Sequence, residues 1–283
     1  MRLFRFGPAG SERPAALLPD LGRLDVSDFG EDYGEAFFAS DGPGRLAEWL
    51  TENGAQCPRV GADERVGAPI LRPSKIVCVG LNYRSHAEEQ AAALPKEPMI
   101  FMKASTALAG PYDGVRLPRG SQKLDWEVEL ALVIGKRARY VEKARWREHV
   151  AGFCLMNDYS EREHQRDRGG QFVKGKSADG FAPLGPLLVT PEEIDERRTP
   201  LTLRVNGQVM QQADTSDLVF DVATLVSHIS EFMSLLPGDV ISTGTPGGVG
   251  MSRKPPVFLK PGDVVDYESE HLGAARHTIL PSI

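Results

Sequence analysis

Two glutamates stand two positions apart in Asp125-Trp126-Glu127-Val128-Glu129-Leu130. On an extended chain alternate side chains share a face, so Asp125, Glu127 and Glu129 point one way and Trp126, Val128 and Leu130 the other. Carboxylates at that spacing lie about 6.5–7 Å apart along the strand. Both can lean toward one hard cation, which prefers oxygen ligands. A half-buried strand with a solvated acidic face has the same pattern, since charged residues are mostly exposed. Like charges on one face repel, however, and a cation relieves that. Asp158 is a third oxygen donor; with Asn157 it closes the apolar run VAGFCLM. It is equally placed to cap a helix over YSEREHQRDRGG. Three carboxylates completed by water suit Mg²⁺ or Mn²⁺, whereas zinc more often takes His or Cys.

A base is available in His86, three positions before Glu89. On a helical turn the two are neighbours, and the carboxylate fixes the imidazole tautomer and raises its basicity. Such a pair can deprotonate water, or it can be a mild surface contact. Lys176 lies in GKSADGF, where a lysine can steady an oxyanion or simply face solvent. The segment Gly244-Thr245-Pro246-Gly-Gly-Val-Gly250 lacks the Gly-Lys-Ser/Thr ending of a phosphate loop, which argues against a nucleotide. Its backbone N–H groups and the Thr245 hydroxyl suit a carboxylate, unless it is only a tight turn at a strand end.

These residues need elements to hold them. KIVCVGLNY and VELALVIG read as strands, the second alternating over its first half. Asn206-Gly207 lies between two β-prone runs and signals a hairpin. Pro-Gly-Asp turns at 237–239 and 261–263 each lead into a strand, VIST and VVDY, with Gly taking positive φ. Helices come singly: SHAEEQAAAL with a capping box from Ser85 to Glu88, and 221–236 capped by Asp221. Single helices between runs of strands predict a mostly β, α+β fold with a mixed sheet or β-roll. Residues 1–70 read as a small N-terminal α/β domain with a hairpin or two and a helix over GRLAEWLTENG. Residues 71–283 then form the main domain, joined through a segment broken by Pro69 and Pro73.

The bulk numbers narrow the partners. A net charge of −6 opposes a nucleic-acid surface. No stretch approaches the roughly 18 apolar residues of a membrane span. Three cysteines, Cys57, Cys78 and Cys154, match no zinc spacing and predict a reduced, cytoplasmic protein.

Taken in order, GLNYRSHAEE, FMKASTAL, DWEVELALVIG, NDYSERE, GKSADGFAPLGP and STGTPGGVG resemble the fumarylacetoacetate hydrolase family over roughly residues 72–280. The opening MRLFRFGPAG is similar to a bacterial branch labelled 2,4-diketo-3-deoxy-sugar-acid (L-rhamnonate or L-fuconate) hydrolase or ureidoglycolate lyase. The resemblance implies that Glu127, Glu129 and Asp158 bind the metal and that His86 and Glu89 activate water. It implies an active-site role for Lys176 and substrate contacts for Gln165, Thr245, Arg162, Tyr83 and Lys103. It also implies a β-sheet roll, usually a homodimer. Ala178-Asp179-Gly180 and GPLLV depart from the commoner forms and bear on the shape of the pocket.

The expected reaction is metal-dependent hydrolysis of a carbon–carbon bond in an acylpyruvate, most specifically a 2,4-diketo-3-deoxy sugar acid, with release of pyruvate. The same platform would serve oxaloacetate decarboxylation, hydration or isomerisation of a 2-oxo acid, or ureidoglycolate cleavage. A non-catalytic 2-oxo acid binder would have no need of the His86–Glu89 base. The segment 85–98 is a candidate lid beside that pair.

Overall fold

A computed structural model describes residues 1–283. The chain opens with an antiparallel meander, β1 (Arg2–Phe6), β2 (Arg13–Leu18) and β3 (Gly22–Asp25), followed by helices α1 (Glu35–Ala39) and α2 (Gly42–Asn53). The short β4 (Val66–Gly67) returns to pair with β1. Next come β5 (Ile76–Gly80), α3 (Arg84–Glu89) and β6 (Met99–Lys103). Three two-residue strands, β7 (Leu108–Ala109), β8 (Val115–Arg116) and β9 (Leu124–Asp125), precede the long β10 (Val128–Ile134) and β11 (Val150–Asn157).

Beyond β11 lie β12 (Ser160–Glu161), a wide π-type turn at Glu163–Asp167, and α4 (Phe172–Lys176). Then follow β13 (Ala182–Pro183), β14 (Leu188–Val189), the hairpin β15 (Pro200–Val205) and β16 (Gln208–Asp214), and α5 (Val222–Phe232). The chain closes with β17 (Val240–Ser242), β18 (Val264–Ser269) and β19 (Gly273–Leu280).

The expected mostly β, mixed architecture is what the chain adopts. The main sheet runs β3-β2-β1-β14-β11-β10-β17-β5-β6, with β4 beside β1. Only β17 and β5 pair in parallel there. A second sheet runs β16-β15-β18-β19-β8. Every residue of β10 and β11 is buried, because the two strands lie mid-sheet with both faces covered. The hairpin turn is at Asn206-Gly207, both at positive φ (51° and 81°), as a type I′ turn requires. Both Pro-Gly-Asp turns place Gly238 and Gly262 at positive φ, and Asp221 caps α5 by accepting from Thr224 N at 2.9 Å.

Some local readings are corrected. Ser85 does not cap α3: Tyr83 occupies the cap position, and the Ser85 hydroxyl donates to Asp217 Oδ2 at 2.5 Å. YSEREHQRDRGG does not continue from Asp158 as an α-helix, since Ser160 and Glu161 pair with β9 first. The acidic strand is broken at Trp126-Glu127, where Glu127 N donates to the Asn157 side chain instead of a ladder carbonyl. Residues 1–70 are joined to the rest through the sheet, with Leu3 opposite Leu188. Tyr33, Phe37 and Leu46 belong to the same core as Val128 and Leu155. No helix is long and apolar enough to cross a membrane.

Candidate active site

β10 and β11 carry the acids to one point. Their register sets Val128 opposite Asn157, so Glu127 leaves the start of one strand where Asp158 leaves the end of the other. Asp158 N donates to Glu127 O at 2.8 Å and locks this corner. Glu129, the second residue of β10, opens on the same cavity as Glu127, which immediately precedes the strand. Carboxylate oxygens of Glu127, Glu129 and Asp158 lie within 4.8 Å of one another, and all three residues are buried.

Their electrostatics differ. Glu129 is pushed well above the usual carboxylate range by burial and then by Asp158 and Glu127, although Ser242 Oγ and Gly244 N donate to its Oε2 at 2.5 and 2.9 Å. Burial also works against Glu127, but Lys176 and Arg162 outweigh it and hold Glu127 far below that range. Lys176 bridges Glu127 Oε2 and Asp158 Oδ2 at 2.6 Å each. Burial disfavours its charge, yet those two acids raise its affinity for the proton above the ordinary lysine value.

This donor set fits a divalent cation. The three side chains offer only oxygen, the choice of Mg²⁺ or Mn²⁺, and Glu129, unlike Glu127 and Asp158, makes no ion pair with a side-chain cation.

Across a narrow cavity of about 70 Å³ from Glu127 and Glu129 stands His86, near the middle of α3. Its Nδ1 is 2.7 Å from Glu89 Oε1. Gln165 and Thr245 also line this cavity. Gln165 Oε1 accepts from Arg162 Nη1 at 3.0 Å, while Arg162 reaches Asp125 and Glu127 at 2.8 and 2.6 Å. The Thr245 hydroxyl donates to Val128 O and accepts from Gln211, so it ties the loop to β10.

Two expected substrate contacts are not brought to the cavity wall. Lys103, the last residue of β6, is buried against Asp158, donating to its Oδ1 and to Tyr159 O. Burial lowers its proton affinity despite Asp158. Tyr83 is buried at the start of α3 and bridges to Leu218. Lys176, expected in a loop, closes the short helix α4. Sequence reading missed Gln90, Arg166, Gln211 and Ser242. Gln211 gave no local signal; it acts from β16, accepting from Val128 N at 3.0 Å, through a contact only the fold creates. Ser242 and Gln90 stood inside quoted motifs, and a polar residue one turn after His86 was the available clue to Gln90.

Fold and site together define a class. The fumarylacetoacetate (FAA) hydrolase C-terminal family matches residues 75–280, and the chain belongs to this family. Over 276 residues it is 45% identical to a Burkholderia orbicola protein named only as a hydrolase, covering 96% of each. The solved fumarylacetoacetate hydrolase of Exiguobacterium antarcticum is 34% identical, with 99% of both chains covered and a TM-score of 0.85. A maleylpyruvate hydrolase from Sphingobium sp. SYK-6, solved with manganese(II) and pyruvate, is 27% identical over 100% of both chains with a TM-score of 0.82.

Proposed function

We propose that this protein is a divalent-metal-dependent enzyme that hydrolyses the carbon–carbon bond of a 2,4-dioxo (acylpyruvate-type) acid to pyruvate and a second acid. The observation that carries this reading is His86, paired with Glu89, lining the same cavity as Glu127 and Glu129. The named relatives that act on such acids, and the pyruvate held by one of them with manganese, support it. The sugar-acid member of the substrate class rests on the sequence resemblance.

Glu127, Glu129 and Asp158 would hold Mg²⁺ or Mn²⁺, which when bound supplies Lewis-acid polarisation and a docking point for the 2-oxo acid end. Glu89 keeps the His86 proton on Nδ1, leaving Nε2 to accept one from water. The water oxygen bonds to the distal carbonyl carbon, C4. The Lys176 ammonium and the Gln165 amide are placed to donate to the oxygen that becomes negative. The bond between C3 and C4 then breaks, its electron pair goes to C3, and the proton taken by His86 is returned there. The balance is one acylpyruvate and one water giving pyruvate and one carboxylic acid. Arg162, fixed by Asp125, is placed to orient the substrate's carboxylate end.

The test is pyruvate release from a panel of acylpyruvates and 2,4-dioxo sugar acids, with Mg²⁺ or EDTA. EDTA-sensitive pyruvate with an equal amount of a second acid supports the reading. CO₂ from oxaloacetate, urea from ureidoglycolate, or a product of unchanged mass, with no pyruvate from the panel, overturns it.

A further inference from the structure

The wide turn at Glu163–Asp167 brings Arg162, Gln165 and Arg166 to one wall of the cavity. Three cations of the site are already tied to acids: Arg162 to Asp125 and Glu127, Lys176 to Glu127 and Asp158, Lys103 to Asp158. Arg166 is not. Its side chain reaches Gln90 Oε1 at 3.3 Å, and the Gln90 amide nitrogen lies 2.8 Å from His86 Nε2.

The direction of that last bond follows from chemistry. Glu89 is the carboxylate partner of Nδ1, so Nδ1 carries the proton and Nε2 the lone pair. The Gln90 N–H therefore donates into the lone pair that would accept a proton from water. As it stands, the base is occupied by the enzyme's own amide. The cavity is also small. Its volume of about 70 Å³ is far below the roughly 300 Å³ at which small-molecule sites begin. Gln90 is also well placed to move. It ends α3, and the next residue, Ala91, has φ of 50°, a conformation that disfavours a residue with a Cβ.

We propose that Gln90 and Arg166 form a latch on His86 that is opened by a second carboxylate at the far end of the substrate. That carboxylate pairs with the guanidinium of Arg166 in the two-pronged geometry the group favours. Arg166 then releases Gln90, and Gln90 releases Nε2. A neutral or hydroxylated tail offers Arg166 no opposite charge, only a neutral acceptor like the Gln90 oxygen it already holds, and leaves the latch shut. The substrate class is thereby narrowed to 2-oxo acids with a carboxylate at each end, in preference to sugar acids. The latch rests on the reading of His86 as the base; the selection of a second carboxylate by Arg166 does not.

Both parts are tested on the full-length, Mn²⁺-loaded protein. Binding of 2-oxoadipate and of 2-oxohexanoate, which differ only in the terminal carboxylate, is measured by calorimetry for the wild type and Arg166→Met. Turnover is measured on an acylpyruvate ending in carboxylate and on its terminal carboxamide, for the wild type, Gln90→Leu and His86→Ala. The wild type is expected to favour the dicarboxylate by roughly 10–100-fold, the worth of one charge-assisted hydrogen bond. Arg166→Met should bring that preference to within a few-fold. Gln90→Leu should raise kcat/KM on the carboxamide more than on the dicarboxylate, a substrate-dependent gain that loss of structure would not produce.

A preference unchanged in Arg166→Met overturns the selection. Equal effects of Gln90→Leu on both substrates overturn the latch, even where His86→Ala is inactive and the base reading stands. A fully active His86→Ala, or no turnover of either acylpyruvate, overturns the base reading and the latch with it, while the calorimetry still decides the role of Arg166.

Discussion

The backbone N–H of Gly248 donates to Glu89 Oε2 at 2.7 Å, joining two residues 159 positions apart. The other oxygen of the same carboxylate meets His86 Nδ1. The glycine-rich turn is thus the back wall of the dyad. Its neighbours act alike, with Gly244 N holding Glu129 and Gly250 N holding Asp125 at 2.7 Å. The sequence offered these N–H groups to a substrate carboxylate; the fold gives them to the enzyme's own acids, of which Glu129 and Asp125 are buried.

Glu89→Gln keeps the volume of the side chain but removes the charge that fixes the histidine tautomer. On the proposed reading kcat should fall about 10²–10⁴-fold while Mn²⁺ affinity is unchanged, measured by steady-state kinetics beside a metal titration. A rate within a few-fold of wild type would remove Glu89 from the chemistry. Gly248→Ala should lose activity as well, because φ is +106° and a Cβ there would stand 2.1 Å from Met210 O.

Lys176 occupies oxygens that a divalent ion would also need. Lys176→Met leaves Glu127 and Asp158 without their shared cation, and breaking a buried pair in this way costs about 3–5 kcal/mol. The metal-free variant should therefore melt lower than wild type and bind Mn²⁺ more tightly. Its Tm should rise by more on adding Mn²⁺. Equal metal-induced shifts in the two proteins would show that lysine and metal do not compete.

The parts of the fold carried by local chemistry were legible in advance. Asn206-Gly207, the two Pro-Gly-Asp turns and the Asp221 cap each state their backbone geometry in a few adjacent residues. Two members of the acid cluster were legible as spacing, and they meet although the strand is broken at Trp126-Glu127. What the sequence could not show was depth. Lys103 and Gln165 are both polar residues in segments singled out from the sequence, yet one is buried against Asp158 and the other faces the cavity. That distinction depends on which elements the fold brings against Asp158. Ser85 followed by Glu88 satisfied the capping pattern, but Asp217 from a distant turn took the hydroxyl.

His277 should make the protein sensitive to acid away from the active site. Burial between Tyr159 and Tyr267 lowers its pKa from 6.5 to about 4, against a smaller opposing pull from Asp113. The folded state thus favours the neutral ring. This contribution is complete above pH 6.5 and is lost as pH falls toward 4. The span corresponds to about 3 kcal/mol. Urea unfolding at pH 7 and pH 4.5 should show a larger loss for wild type than for His277→Gln. Parallel losses would place the acid sensitivity elsewhere.

Residues 71–283 alone should not reproduce the folded protein, although the sequence reads as two parts. β1 pairs with β14, setting Arg2 opposite Val189 and Leu3 opposite Leu188, and Thr190 N donates to Met1 O at 3.0 Å. Removing the first 70 residues uncovers the β14 edge, which is prone to pair with other chains. It also strips Tyr33 and Phe37 from the shared core and breaks the Arg65–Asp113 pair, whose two contacts measure 2.9 and 2.7 Å. The damage reaches the site, since Val189 of β14 pairs with Phe153 of β11, the strand that ends at the metal-binding candidate Asp158. The full chain should melt in one calorimetric transition, and the 71–283 fragment should aggregate or melt without cooperativity and fail to bind Mn²⁺. Two separate transitions in the full chain, or a fragment that melts at the full-length Tm with Mn²⁺ bound, would show that the N-terminal residues form an independent unit.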